Sequence, residues 1–343
     1  MRALVTGAQG FVGSRMLANL RRRRVIARAL VRRGMIPPWT PADGTERIRG
    51  DVTDRASVQH AVAGCDVVFH CAYGGDSLAD ARRINVEGTR NVLLAAAAAG
   101  VRRMVHVSTM AVHGHRPPAI LTEDCPFDME GDSYGVSKAE GELAAFELGA
   151  QHGVEVVALR PTLVYGPRAP LWVLAYFDRT RREQLALIDG GAGLANLVYV
   201  DDLVDAMWLA AQHPAAPGEA FLISGAEPIP WRDYIGAFAR MCGKPLPPAV
   251  PLWRAQLELR WLRIYGALTD HPRRLTATDM ILMPQRTAVS IEKSRRLLGF
   301  SPSTSFEAGM ARCKAWLRNE GYLPPLVPSA DDGEAAVRQS AGA

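Results

Sequence analysis

The first thirteen residues constrain the fold of this chain most. Arg2-Ala-Leu-Val-Thr6 is a short aliphatic and β-branched run of the kind buried inside a sheet. It leads straight into Gly7-Ala-Gln-Gly10-Phe-Val-Gly13, and residues 14–20 then carry apolar side chains at helical spacing. Strand, glycine turn and helix in that order let a backbone approach a pyrophosphate closely, with helix N–H groups and the helix dipole favouring the anion. The spacing is G-x-x-G-x-x-G rather than the commoner G-x-G-x-x-G.

Strand and helix signals alternate through the first half, the pattern of a parallel sheet covered on both faces. Strands are expected at 2–6, 25–31, 45–49, 66–71, 103–108 and 154–160, and helices at 11–22, 55–63, 81–99 and 134–151. After Pro167 the character changes. Stretches 166–197 and 226–290 carry many prolines, tryptophans and arginines, whereas 198–224 returns to a helix followed by a strand. Residues 328–343 offer little to bury and are expected to be disordered.

Tyr134 and Lys138 stand four residues apart before a run of good helix formers, so both side chains project from one helix face. A free phenol has a pKa near ~10, and a neighbouring cation favours the phenolate. Lysine is scarce, Lys138, Lys244, Lys293 and Lys314 being the whole set in a chain with 40 Lys plus Arg.

Thr6-Gly7-x-x-Gly10-Phe11-x-Gly13 together with Tyr134-x-x-x-Lys138 resembles the extended short-chain dehydrogenase/reductase superfamily. Further segments match the same pattern in order: 50–54, 66–72, 85–89, 107–114, 159–167 and 198–202, so that the resemblance covers roughly residues 2 to 320. It implies a Rossmann-type doubly wound parallel sheet with a smaller, mixed C-terminal substrate domain made of inserted segments. The division expected is 1–165 for the dinucleotide-binding part, with 198–225 returning to it, and 166–327 for the substrate side. The resemblance makes Tyr134 the acid/base, Lys138 the holder of the nicotinamide ribose, and Thr109 or its neighbour Ser108 the hydroxyl at the reacting oxygen. Neighbours on a strand face opposite sides, so only one of the two serves, and Thr109 falls on the family position. Cofactor contacts are implied for Gly7, Gln9, Gly10, Phe11, Val12 and Gly13, for Arg32, for Asp51 and Val52, and for Cys71 and Ala72. Ser108, Tyr134, Lys138, Pro161 and Val164 complete that set. His70, His106 and His113 lie near these strands without metal spacing and read as packing or supporting groups, so no metal is expected.

Two carbonyl–alcohol readings share this framework. One is an NAD(P)-dependent dehydrogenase or reductase acting on a hydrophobic or natural-product-like substrate. The alternative is a nucleotide-sugar epimerase or dehydratase using bound cofactor, and a non-catalytic cofactor-sensing protein is a second alternative. No asparagine follows Tyr165-Gly166-Pro167, Ala195-Asn196-Leu197 lacks an arginine, and Met110 and Ala111 stand where dehydratases of the group carry an acidic pair. Trp253, Leu257, Trp261, Ile264 and Tyr265 form an apolar stripe at helical spacing. With residues 274–276 and 294–302 it makes the C-terminal part most similar to the 3β-hydroxysteroid dehydrogenase-like branch.

A net charge of +5 carried mostly by dispersed arginines, with Arg21–Arg24 at the end of the first helix, offers no nucleic-acid module. The five cysteines show no Cys-x-x-Cys pairing, the chain begins directly in a strand, and its longest apolar run (92–101) is about half a bilayer span. A cytoplasmic protein without membrane partners is expected, and the resemblance implies a homodimer paired through 81–99 and 134–151.

An NAD-selective site carries an acidic residue after the second strand, about 20 residues past the glycines, to accept from the adenosine ribose. Here Val31 occupies that place and Arg32 and Arg33 follow, with Arg15 as a further cation nearby. An arginine fork suits a 2′-phosphate, so NADP(H) is favoured, with NAD(H) possible. NADP(H) is therefore predicted to bind more tightly than NAD(H), and Arg32→Ala to weaken NADP(H) selectively. Nicotinamide fluorescence titrations check this, and equal affinities or an unchanged preference in the variant would contradict it.

Overall fold

The computed structural model describes residues 1–32, 44–265 and 275–324. Arg33, Arg274 and the tail 328–343 lie outside the described residues, as do the side chains of Trp261, Ile264 and Tyr265. Seven strands form one parallel sheet: β1 (Arg2–Thr6), β2 (Ile26–Val31), β3 (Glu46–Arg49), β4 (Val67–His70), β5 (Arg103–Val107), β6 (Glu155–Pro161) and β7 (Ala220–Ile223). Their order is β7-β6-β5-β4-β1-β2-β3, all pairs parallel. The order reverses between β1 and β4, and a doubly wound sheet opens its ligand crevice at the carboxyl ends of those strands.

Helices α1 (Phe11–Arg22), α2 (Arg55–Val62), α3 (Leu78–Arg82), α4 (Gly88–Ala98) and α5 (Ser133–His152) follow in chain order. They are succeeded by α6 (Tyr176–Arg181), α7 (Val200–Gln212), α8 (Trp231–Cys242), α9 (Leu252–Tyr265) and α10 (Ala277–Leu282). The chain closes with α11 (Glu292–Leu298) and α12 (Phe306–Asn319). Both sheet faces are buried, which is why its strands read as continuous apolar runs. Ala3 and Val5 pack with Met16 and Leu17 of α1 and Leu203 and Met207 of α7. Leu4, Val68 and Met104 pack on the other face with Val58 of α2, Val92 of α4 and Leu148 of α5. A further aromatic core gathers Tyr165, Tyr176, Phe177, Trp231, Tyr234 and Phe238 with Met310 of α12.

The helix expected over 81–99 is present, running without interruption over 78–98, but it is not α-helical throughout. Between α3 and α4 the backbone takes a π-helical turn over Arg83–Glu87, which turns Asn85 inward to 1% exposure. Such single turns recur where function demands an altered side-chain direction. Gly141 lets α5 approach this turn closely, because a Cβ there would lie 2.4 Å from the Asn85 carbonyl oxygen.

α5 is capped at both ends: the Asp132 carboxylate accepts from the Gly135 N–H at 2.6 Å, and Gly153 closes it in the left-handed region at φ 71°. It is tied to the sheet by a buried ion pair. Arg160 of β6 donates to Glu142 of α5 at 2.6 Å, and another of its N–H groups meets the Glu123 carbonyl at 3.0 Å. Glu142 falls one helical turn after Lys138 and two after Tyr134, so the pair fixes the rotation of the helix face that carries both.

The described part of the stripe on α9 is exposed rather than core: Trp253 and Leu257 face solvent, and Ala255 is the buried position. Among the described side chains of α9 the small Ala255 is the fully buried one, a choice that hydrophobic spacing alone does not reveal. No helix among the described residues is long and apolar enough to cross a membrane.

Candidate active site

A groove opens at the carboxyl ends of β1, β2 and β4. Eight of the expected cofactor contacts line it together: Gly7, Gln9, Gly10, Arg32, Asp51, Val52, Cys71 and Ala72. Gly7 sits at φ 62°, and a Cβ there would fall 2.6 Å from the Cys71 carbonyl carbon, so only glycine fits between the turn and the end of β4. Gly10 caps α1 without a side chain, and the first turn of α1 holds no acidic residue, which leaves its N–H groups and dipole for an anion. The Gln9 side chain accepts from the Arg32 backbone N–H at 2.9 Å, fixing the chain beyond β2 beside the turn. Asp51 is held by both the N–H and the hydroxyl of Thr53, each at 2.9 Å. These features fit a dinucleotide.

Phe11, Val12 and Gly13 form the first turn of α1, while Pro161 ends β6 and Val164 pairs in register with Val198, outside the lining of this groove. Arg15 corrects the expectation that it supplies a second cation: its guanidinium is committed to Asp201 of α7 in a bidentate pair at 2.5 and 2.6 Å. The groove adds five residues that were not among the expected contacts: Leu30 and Gly50, which lie within recognised segments, and Tyr73, Arg83 and Ile84, which sequence reading missed. The last three flank the recognised segments 66–72 and 85–89, and the π-helical turn carries Arg83 and Ile84 to the groove.

The residues expected to do chemistry lie outside that lining and meet it through Tyr73, whose ring touches that of Tyr134. The Thr109 hydroxyl lies beside the Tyr134 phenol, near enough to oppose the rise in its pKa. Thr109 also accepts from the Ala111 N–H at 3.2 Å as it starts a short 3₁₀ turn over Met110–His113. Ser108 points elsewhere: its hydroxyl is buried and has no hydrogen-bond partner among the described residues. Both lie just past the end of β5, and Thr109 is the one beside Tyr134.

Lys138 is 3% exposed and donates to the Val107 carbonyl at 2.5 Å. Burial depresses its pKa to about 8, with the Glu142 carboxylate opposing that loss. The expected lowering of the Tyr134 pKa by this cation is not seen in the protein by itself. Burial pushes the phenol up to about 12, opposed by the Thr109 hydroxyl, and Lys138 is turned toward the Val107 carbonyl. Tyr134 lies at the bottom of a cleft that water still reaches, at 41% exposure, so the direction holds and solvent softens its size.

Behind the site runs a buried chain of hydrogen bonds. Thr6 Oγ1 meets His70 Nδ1 at 2.7 Å, and His70 Nε2 meets Thr89 Oγ1 at 3.0 Å. The Thr89 hydroxyl donates to the Asn85 carbonyl, so it accepts from His70, which fixes a neutral ring protonated on Nε2. Burial lowers the His70 pKa to about 3, in keeping with a neutral ring. Asn85 Nδ2 donates to Ser137 at 3.0 Å, and Ser137 donates to the Tyr134 carbonyl at 3.1 Å. His106 packs against His70 with the rings tilted by 31° and 5.4 Å between centres, and neither of its nitrogens has a partner among the described residues.

With this geometry in place, comparison with known proteins is informative. The sequence model of the NAD-dependent epimerase/dehydratase family matches residues 3–224. The chain is 32% identical over 337 residues to a 2-alkyl-3-oxoalkanoate reductase of Stenotrophomonas maltophilia, covering 92% of this chain and 99% of the relative. It is 28% identical to a 3β-hydroxysteroid dehydrogenase of Mycolicibacterium neoaurum, covering 91% and 90%. Among solved structures, a UDP-glucose 4-epimerase of Thermotoga maritima superposes with a TM-score of 0.75 at 20% identity, covering 93% and 99%.

A lysine whose folded pKa is depressed binds fewer protons folded than unfolded, so its stability contribution rises with pH above about 8 and is least at neutral pH. Lys138→Met is therefore predicted to stabilise the fold at pH 7 by about 1–3 kcal/mol. Urea denaturation at pH 7 and pH 9.5 checks this: the advantage narrows at the higher pH, and a destabilised variant at pH 7 would contradict it.

Proposed function

The chain belongs to the NAD-dependent epimerase/dehydratase family, and on that premise we propose that it is a reductase or dehydrogenase working on a carbonyl or secondary alcohol of an apolar substrate. The observation that carries the reading is Tyr134 with the Thr109 hydroxyl beside it and Lys138 one helical turn away, its ring touching Tyr73 of the glycine-lined groove. Bound there, a nicotinamide dinucleotide supplies or accepts the hydride. Gly7, Gly10 and the first turn of α1 hold its pyrophosphate, Arg32 favours the 2′-phosphate of NADP(H), and Lys138 holds its ribose hydroxyls. Tyr134 keeps its proton at neutral pH and gives it to the carbonyl oxygen as the alcohol forms, while Thr109 holds that oxygen. The Lys138 ammonium stabilises the phenolate left behind.

The names of two relatives, a reductase of 2-alkyl-3-oxoalkanoates and a hydroxysteroid dehydrogenase, support apolar ketones and alcohols as the substrate class. Asn196, in the segment before Tyr199, is buried and its amide donates to the Thr287 carbonyl at 2.9 Å, so it does not face a ligand. That argues against the epimerase alternative. The aromatic core of 165–199 and 229–323 supports the proposed division into a dinucleotide part, 1–165 with 198–225, and a substrate part. Five unpaired cysteines support a cytoplasmic setting.

A homodimer through α4 and α5 is part of this proposal, supported by the half-exposed Leu143 on α5. Light scattering is expected to return about twice the 37.2 kDa chain mass, and a monomer at working concentration would contradict it.

The chemistry is tested by substitution. Tyr134→Phe is expected to keep the fold and cofactor binding while turnover falls about 10²–10⁴-fold. Lys138→Met damages both cofactor affinity and rate, and Thr109→Ala slows turnover more than Ser108→Ala. Steady-state kinetics on a ketone panel reads the order of severity, and wild-type turnover in Tyr134→Phe would overturn the reading.

A further inference from the structure

Tyr73 is a large aromatic residue that the fold places in water. It is 65% exposed, so its ring forgoes the burial that aromatic side chains usually supply. Its backbone, by contrast, is held on both sides. The Ala72 N–H donates to Thr6 Oγ1 at 3.3 Å and the Gly74 N–H to Asn85 Oδ1 at 3.0 Å, and both acceptors are buried. An exposed ring on an anchored backbone has a fixed place to act.

That place is the junction between the two halves of the site. Tyr73 lines the groove together with Gly7 and Gly10, and its ring meets that of Tyr134 edge to face, 6.0 Å between centres at 69°. Tyr134 is itself 41% exposed, so the two rings present a joined aromatic surface to the cleft beside the proton donor. Water is a poor partner for such a surface, and a flat unsaturated group is a good one, gaining both burial and ring-to-ring contact.

We propose that Tyr73 is a specificity-determining residue that selects carbonyl substrates bearing a planar aromatic or conjugated group next to the reacting carbon. The inference rests on the reading of Tyr134 as the proton donor, because that assignment puts the reacting oxygen beside this pair. Tyr73 then packs against the planar flank of the substrate and aims the carbonyl at Tyr134 and Thr109. A ketone with only small alkyl groups leaves the ring uncovered and gains nothing from it.

Binding rather than turnover gives the test. Saturation-transfer NMR is recorded for 1-phenylpropane-1,2-dione and for butane-2,3-dione with the full-length protein in the presence of oxidised cofactor. The phenyl protons are expected to receive the strongest saturation. Tyr73→Ala is expected to weaken the phenyl dione about three- to tenfold, the scale of one aromatic pair, and to leave butane-2,3-dione within about twofold. Tyr73→Phe keeps the ring and retains both affinities. Unchanged binding of the phenyl dione in Tyr73→Ala, equal weakening of both diones, or no phenyl saturation in the wild type would each overturn the proposal. Failure of the underlying reading shows separately, as undiminished turnover in Tyr134→Phe.

Discussion

The buried hydrogen-bond chain from Thr6 through His70, Thr89 and Asn85 to Ser137 is the constraint on which the site depends. It joins the end of β1, where the glycine turn begins, to the first turn of α5, where Tyr134 stands. Every link is between groups that are expensive to leave unpaired away from water, so the chain persists only in one arrangement of donors and acceptors. The Arg160–Glu142 pair secures the same helix two turns further on. Between these two fastenings the Tyr134–Lys138 face has little freedom to rotate, and a proton donor aimed within hydrogen-bond reach needs that rigidity.

The same region carries unfavourable groups that stability alone would remove. Lys138 is buried at the expense of its charge, the Ser108 hydroxyl lacks a partner among the described residues, and His106 is buried with both nitrogens unpaired. Burial pushes the His106 pKa well below the usual histidine range, so the ring is neutral beside the Lys138 ammonium. Such groups cluster where a fold gives up stability for chemistry. Asp279 of α10, beside the aromatic core, shows the opposite case. That buried carboxylate is satisfied by the Tyr176 hydroxyl, by Arg179 and by the Thr276 cap.

Much of the fold was legible because its signals are local. The β1–turn–α1 unit follows from a buried-strand run, glycines where a side chain would collide, and helical apolar spacing, and α5 follows from strong helix formers. What escaped needed tertiary contact. The π-helical turn inside the helix expected over 81–99 has no compositional signature, yet it brings Asn85 into the buried chain and Arg83 to the groove. Arg15 looked like a phosphate ligand until Asp201, 186 residues away in sequence, took its charge. Tyr73 was passed over because a single aromatic after Ala72 carries no pattern, and its meaning comes from Tyr134 across the cleft.

The central claim is that this framework serves net hydride transfer to a ketone rather than a transient oxidation within a sugar ring. NADPH dideuterated at nicotinamide C4, supplied with a panel of apolar ketones, tests it most directly by mass spectrometry and NMR of the products. One deuterium on each new carbinol carbon, with one cofactor oxidised per product, is the predicted result. Conversion of a nucleotide sugar with no net loss of reduced cofactor, or alcohol products free of deuterium, would contradict the account.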